Sequence, residues 1–137
     1  MDVLLEFDLE NDYCVVIDED DDVCYAYLKR KDEGVSHVWL YNRGETPLTP
    51  PWKEPGEPRP VKNSAEYVSE EAFSPPSEED AFSVSLHTKP DRSSFYVDIL
   101  IGGVCYGRLA PGVTPGWARL AKASNPLASP LPQDGSR

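Results

Sequence analysis

Five consecutive acids, Asp18-Glu19-Asp20-Asp21-Asp22, form the densest charge in the chain. Carboxylates packed this closely suit either a hard cation or a basic protein surface. Calcium fails on spacing. A calcium loop of the helix-loop-helix type opening at Asp18 needs glycine where Val23 stands and a bidentate glutamate where Lys29 stands. One opening at Asp20 needs glycine where Tyr25 stands. Mutual repulsion keeps such a run in water, and aspartate favours turns over strands, so the run reads as a solvated hairpin tip. As a partner-binding set, Asp18, Glu19, Asp20, Asp21 and Asp22 would dock a basic protein through charge complementarity.

The second constellation is aromatic. Tyr25 and Tyr27 alternate with smaller residues, His37, Trp39 and Tyr41 do the same, and Arg43 follows. In extended chain each group shares one face. Aromatics with a polar handle, and arginine, concentrate at binding hot spots. Tyr25, Tyr27, His37, Trp39, Tyr41 and Arg43 are therefore a candidate ligand-binding set, with a pocket between this face and the proline-rich segment beyond it. The competing reading makes the aromatics an inner layer of a β-sandwich.

Catalytic signatures are lacking. His37 and His87 form no HxH or HxxxH pair, and no serine sits in GxSxG. Cys14, Cys24 and Cys105 lie in strand-like, apolar surroundings without CxxC spacing, where a thiol usually packs. Gly102-Gly103 is flanked by two strand patterns and belongs to no GxGxxG phosphate loop. No catalytic residue, metal site or cofactor is assigned, and a non-enzymatic role is expected.

The elements that must position these residues follow from alternation. Leu5, Phe7 and Leu9 face one way while Glu6, Asp8 and Glu10 face the other, which marks a half-buried strand. Tyr13–Ile17, Val23–Lys29 and Val35–Asn42 complete a four-stranded antiparallel meander joined by polar turns. Phe82–His87, Phe95–Ile101 and Val104–Leu109 form a second unit. Gly102-Gly103 suits a two-residue type I′ hairpin, which needs positive φ twice. Pairing Ile101 with Val104 puts Asp98 opposite Gly107, so Asp98 and Arg108 meet only diagonally. Short helices are expected over 64–73, capped by Ser64, and over 114–122, with Thr114 as cap and Pro115 first. The fold class is thus mainly β, a β-rich α+β domain. An antiparallel meander packs on a second antiparallel unit, sandwich-like, with one or two short helices. One domain spans 1–124, with a long proline-rich connection at 44–81, and a flexible tail covers 125–137.

Charge narrows the partners. The net charge is −11, and residues 1–33 hold twelve acids against Lys29, Arg30 and Lys31. Nucleic acid and anionic membrane need a basic footprint, so neither is expected. No apolar run approaches the ~20 residues of a spanning helix. Acid stands where a secretion signal carries base, and the cysteine count of three is odd, so a reduced, cytoplasmic protein is expected. Exposed meander edges leave self-pairing open.

Val23-Cys24-Tyr25-Ala26-Tyr27-Leu28, Val38-Trp39-Leu40-Tyr41-Asn42-Arg43-Gly44, Pro50-Pro51-Trp52 and Pro115-Gly116-Trp117 resemble stretches shared by small bacterial proteins of unassigned function. The likeness spans most of 13–122. It implies a bacterial, cytosolic setting and transfers no site residue. The expected function is an acidic, non-catalytic protein-binding module that docks a basic partner, analogous to a toxin-neutralising immunity protein. The alternative is a small-ligand binder or enzyme built on the aromatic face.

Overall fold

The computed structural model describes residues 3–10, 12–20, 22–43, 46, 48, 63–65, 67–69, 81–88, 95–125 and 127–131. These form nine strands: β1 (Val3–Asp8), β2 (Tyr13–Glu19), β3 (Val23–Arg30), β4 (Glu33–Asn42), β5 (Phe82–Thr88), β6 (Phe95–Ile101), β7 (Val104–Leu109), β8 (Trp117–Ala118) and β9 (Ser129–Pro130). The first sheet has the order β1-β2-β3-β4, and the second β5-β6-β7-β8-β9. All neighbours are antiparallel except β8 and β9, which run parallel. The protein is mainly β, two sheets packed face to face, as the alternation predicts.

The turns obey local chemistry. Gly102 and Gly103 carry φ of 60° and 83°, the two positive values that the β6–β7 hairpin requires. Asp20 closes the β2–β3 turn with its own carboxylate, accepting from the backbone N–H of Asp22 at 2.8 Å and of Val23 at 2.9 Å.

The core lies between the sheets. Val15, Ile17, Ala26, Leu28 and Val38 of the first sheet and Val97, Ile99 and Leu109 of the second are fully buried. Tyr13 meets Phe95 edge-on at 4.9 Å across the layer. Gly107 lets the sheets approach, because a Cβ there would overlap the Leu40 side chain.

Two bulges change the faces read from parity. In the β3–β4 ladder Tyr25 pairs with Trp39 but Cys24 pairs with Tyr41, leaving Leu40 as the extra residue. Tyr41 therefore lies on the core face, beside Cys24 and Glu19, and Trp39 lies on the opposite face with Tyr25. The expectation that Trp39 and Tyr41 share a face is corrected: one inserted residue inverts the alternation beyond it. In the β6–β7 ladder Ile99 pairs with Gly107 and Leu100 with Cys105, so Tyr106 is extra. Asp98 then stands directly opposite Arg108, not diagonal to it.

The expected helices are also corrected. Among the described residues there is no helix. Tyr67 and Val68 N–H donate to the Ser64 carbonyl at 2.9 and 3.1 Å, a local turn and not a helix. Glu66 and residues 70–80 lie outside the described residues. Residues 112–118 pass through a turn and bends into β8 instead of coiling into a helix, because backbone groups of this stretch are taken by tertiary partners. Gly112 N–H donates to Val35 O at 3.0 Å, Gly116 N–H to His37 O at 2.7 Å, and Trp117-Ala118 pairs with β7. This segment seals the free edge of β4. Beyond it, Trp39 N–H donates to Leu127 O at 3.0 Å. Leu127 and Ala128 are buried and residues 129–130 form β9, so 127–131, within the tail expected to be flexible, are docked on the body. Residues 132–137 lie outside the described residues.

Gly116 sits where a Cβ would overlap the Arg108 carbonyl oxygen, a backbone atom with no freedom to yield. Gly116→Ala is expected to lower stability by about 1–3 kcal/mol, read as a fall in urea midpoint at unchanged m-value.

Candidate functional site

Members of the two candidate sets read from sequence, Glu19, Asp20 and Asp22 of the first and Tyr41 and Arg43 of the second, meet at one end of the first sheet. Glu19 is only 4% exposed, and it accepts a 2.5 Å hydrogen bond from the Tyr41 hydroxyl. Its Oε2 lies 3.9 Å from Arg43 Nε. Arg43 binds the acidic turn twice more: its N–H donates to Asp22 O at 2.7 Å and its Nη1 to Asp20 O at 3.1 Å. So Glu19 is engaged inside the fold, the Asp20 carboxylate is engaged within its own turn, Asp22 is exposed, and Asp18 is half-buried. Asp21 lies outside the described residues.

The aromatic set divides by burial. Tyr25, Trp39 and Tyr41 are fully buried or nearly so, while Tyr27 and His37 are half-buried. Tyr27 stacks on Tyr25 with ring centroids 6.0 Å apart. The proline-rich segment expected to cover this face falls, at residues 49–62, outside the described residues.

The exit from β4 is held by amides. Asn42 Oδ1 accepts from the Trp39 indole N–H at 2.9 Å and from Asn63 N–H at 2.9 Å. Asn42 Nδ2 donates to Asn63 O at 2.8 Å and to Thr46 Oγ1 at 3.2 Å. Asn63 in turn donates to Asn125 Oδ1 at 3.2 Å, and Asn125 caps the N–H groups of Leu127 and Ala128. Three asparagines thus tie together segments far apart in sequence.

A further cluster, not anticipated as a site, occupies the outer face of the second sheet. Arg108 grips Asp98 side-on, Nε to Oδ1 at 2.6 Å and Nη2 to Oδ2 at 3.3 Å. His87 Nε2 lies 3.3 Å from the same Oδ2, and Tyr96 is stacked between His87 at 4.8 Å and the Arg108 guanidinium at 4.4 Å. Ser85 Oγ lies 3.2 Å from His87 Nε2. This resembles a serine-histidine-aspartate array only in composition. One ring nitrogen faces both Ser85 and Asp98, so the imidazole has no second nitrogen in position to relay a proton. Gly107, at the end of the bulge that aligns Asp98 with Arg108, was the available sequence signal.

The thiols are held neutral. Burial raises Cys105 to about 11, with Asp98 adding to the shift. Burial also raises Cys24 and Tyr41, and it raises Cys14, where Glu6 reinforces it. Near neutral pH both folded and unfolded chains keep these groups protonated, so they contribute no pH dependence. Above 9.0, the ordinary thiol value, the unfolded chain ionises while folded Cys105 stays neutral until about 11. Stability is therefore expected to fall as pH rises through that window. Denaturation midpoints across the alkaline range test the sign; a rising midpoint contradicts it. Thiols this weakly ionised are poor nucleophiles.

Among the described residues, no three His, Cys, Asp or Glu side chains converge on a metal position. Nor is there, among the same residues, any helix long and apolar enough to cross a membrane. Comparison with protein-family models, curated proteins and solved structures finds no match for the chain.

Proposed function

We propose that this chain is a non-catalytic, acidic protein-binding module, inhibitor-like in mode, that docks a basic partner through the sheet formed by β1–β4, in the cytoplasm of a bacterium. The observation that supports this reading is the placement of charge. Glu6, Asp8, Glu10, Asp12, Asp22, Asp32 and Glu33 are all exposed on the first sheet and its turns. The buried acids are spent inside the fold, Glu19 on Tyr41 and Asp98 on Arg108. Exposed acids gathered on one side steer a basic partner and discriminate against acidic ones. Burial of Tyr25, Trp39 and Tyr41 weighs against a ligand pocket lined by all six aromatic-set residues.

The test is calorimetric titration with basic proteins encoded beside the gene, at low and high salt. The expected result is binding that weakens as ionic strength rises, and that falls about tenfold or more when Glu6, Asp8 and Asp22 become Gln, Asn and Asn. Salt-independent binding, or binding unchanged by these substitutions, would sink the electrostatic reading.

A further inference from the structure

The outer edge of β1 is a second kind of binding element, made of backbone. Leu9 N–H donates to Tyr13 O at 2.8 Å, so residues of that parity point their peptide groups at β2. The β1–β2 register has no bulge. By the strand period, Leu4, Glu6 and Asp8 point their N–H and C=O groups away from the sheet. No strand pairs with that edge among the described residues. The opposite edge of this sheet, on β4, is sealed by the 112–116 segment and Leu127.

Side chains define what fits there. On the outer face the edge shows Leu4, 72% exposed, then Glu6 and Asp8. On the inner face Leu5, Phe7 and Leu9 are only half-buried while packing on the core. A fifth strand would pair with the open backbone groups and cover the flank of these three residues. A second copy of the chain is a poor occupant. Antiparallel self-pairing about Glu6 sets the two Glu6 carboxylates opposite each other, the like-charge device that keeps natural edges apart.

We infer that β1 accepts an extended segment of the basic partner as an added strand, one that alternates lysine or arginine on the outer face with aliphatic residues on the inner face. This rests on the docking reading above and specifies its geometry: the backbone supplies affinity and the alternation supplies selection.

The probe is an end-blocked peptide of alternating lysine and valine, titrated into the full chain and followed by amide NMR and fluorescence anisotropy. The expected result is binding that shifts the amides of Leu4, Glu6 and Asp8. Methylating the peptide nitrogens that face β1 should weaken it at least about tenfold, because charge is kept while the strand bonds are lost. Leu4→Pro, which keeps every acid and removes only an outward-facing N–H, should weaken it comparably; circular dichroism confirms that this variant folds. Equal binding of the methylated peptide overturns strand addition but leaves charge docking standing. Equal binding of a glutamate-valine peptide overturns charge selection, and the docking reading with it. No binding of either peptide, or a β1-mediated dimer of the chain, overturns the strand-addition inference.

Discussion

Asn42→Ala is expected to destabilise the protein by about 3 kcal/mol, since it strands two buried donors at once, each worth roughly 1–3 kcal/mol when left unsatisfied. The donors are the Trp39 indole N–H and the Asn63 backbone N–H, both bound to Asn42 Oδ1 at 2.9 Å. The lost amide also frees the Asn63 carbonyl. Trp39 and Asn63 are fully buried, so water cannot replace the missing partner without opening the fold. Asn42→Asp separates the two functions of the side chain. It keeps an acceptor for Trp39 and Asn63 but turns a second oxygen toward the Asn63 carbonyl. It is expected to be destabilised as well, and to recover in part when acid protonates the new carboxyl. Urea denaturation of both variants, with near-ultraviolet dichroism to follow the tryptophan environment, checks this. A loss below about 1 kcal/mol for Asn42→Ala would mean that the network is not a clasp.

Breaking the Asp98–Arg108 pair should cost more, about 3–5 kcal/mol for Arg108→Ala. Both side chains are at most 10% exposed, and removing the guanidinium leaves a desolvated carboxylate beside His87 and Cys105, without its cation. Burial alone would lower the Arg108 pKa, but the hydrogen bonds and charge of Asp98 outweigh it and hold the group raised and charged. Tyr96 loses the cation on its face in the same step. The diagnostic comparison is the double variant Asp98→Leu, Arg108→Met. Removing both charges removes both desolvation costs, so it is expected to be more stable than either single variant. A double variant as unstable as the sum of the singles would show that the pair does not act as a unit.

Tyr41→Phe offers a smaller effect. It takes the hydroxyl from buried Glu19 and should cost about 1.5–3 kcal/mol, the usual worth of a hydrogen bond to a charged group. The same variant reports on the candidate docking end, since Glu19 shares Arg43 with the acidic turn.

The alternation of apolar and polar residues was sufficient by itself to determine β1–β7, the antiparallel meander of β1–β4 and the Gly102-Gly103 hairpin, but not β8 and β9. These features depend on neighbours two to ten residues apart, where parity and turn chemistry act. The acidic character of the β1–β3 side is likewise a property of composition. Tertiary structure decided the rest. Leu40 and Tyr106 become bulged residues only when opposing strands choose a register, and that choice inverts which face Tyr41 takes and sets Asp98 against Arg108. The stretch 112–118 has helical capping signals, yet the open edge of β4 and the backbone of β7 claim its peptide groups first. Glu19, one of five like acids in a row, is drawn inside by a tyrosine 22 residues away. Long-range hydrogen bonds of this kind leave no trace in local spacing, because the partner is selected by the packing of two sheets rather than by the chain beside it.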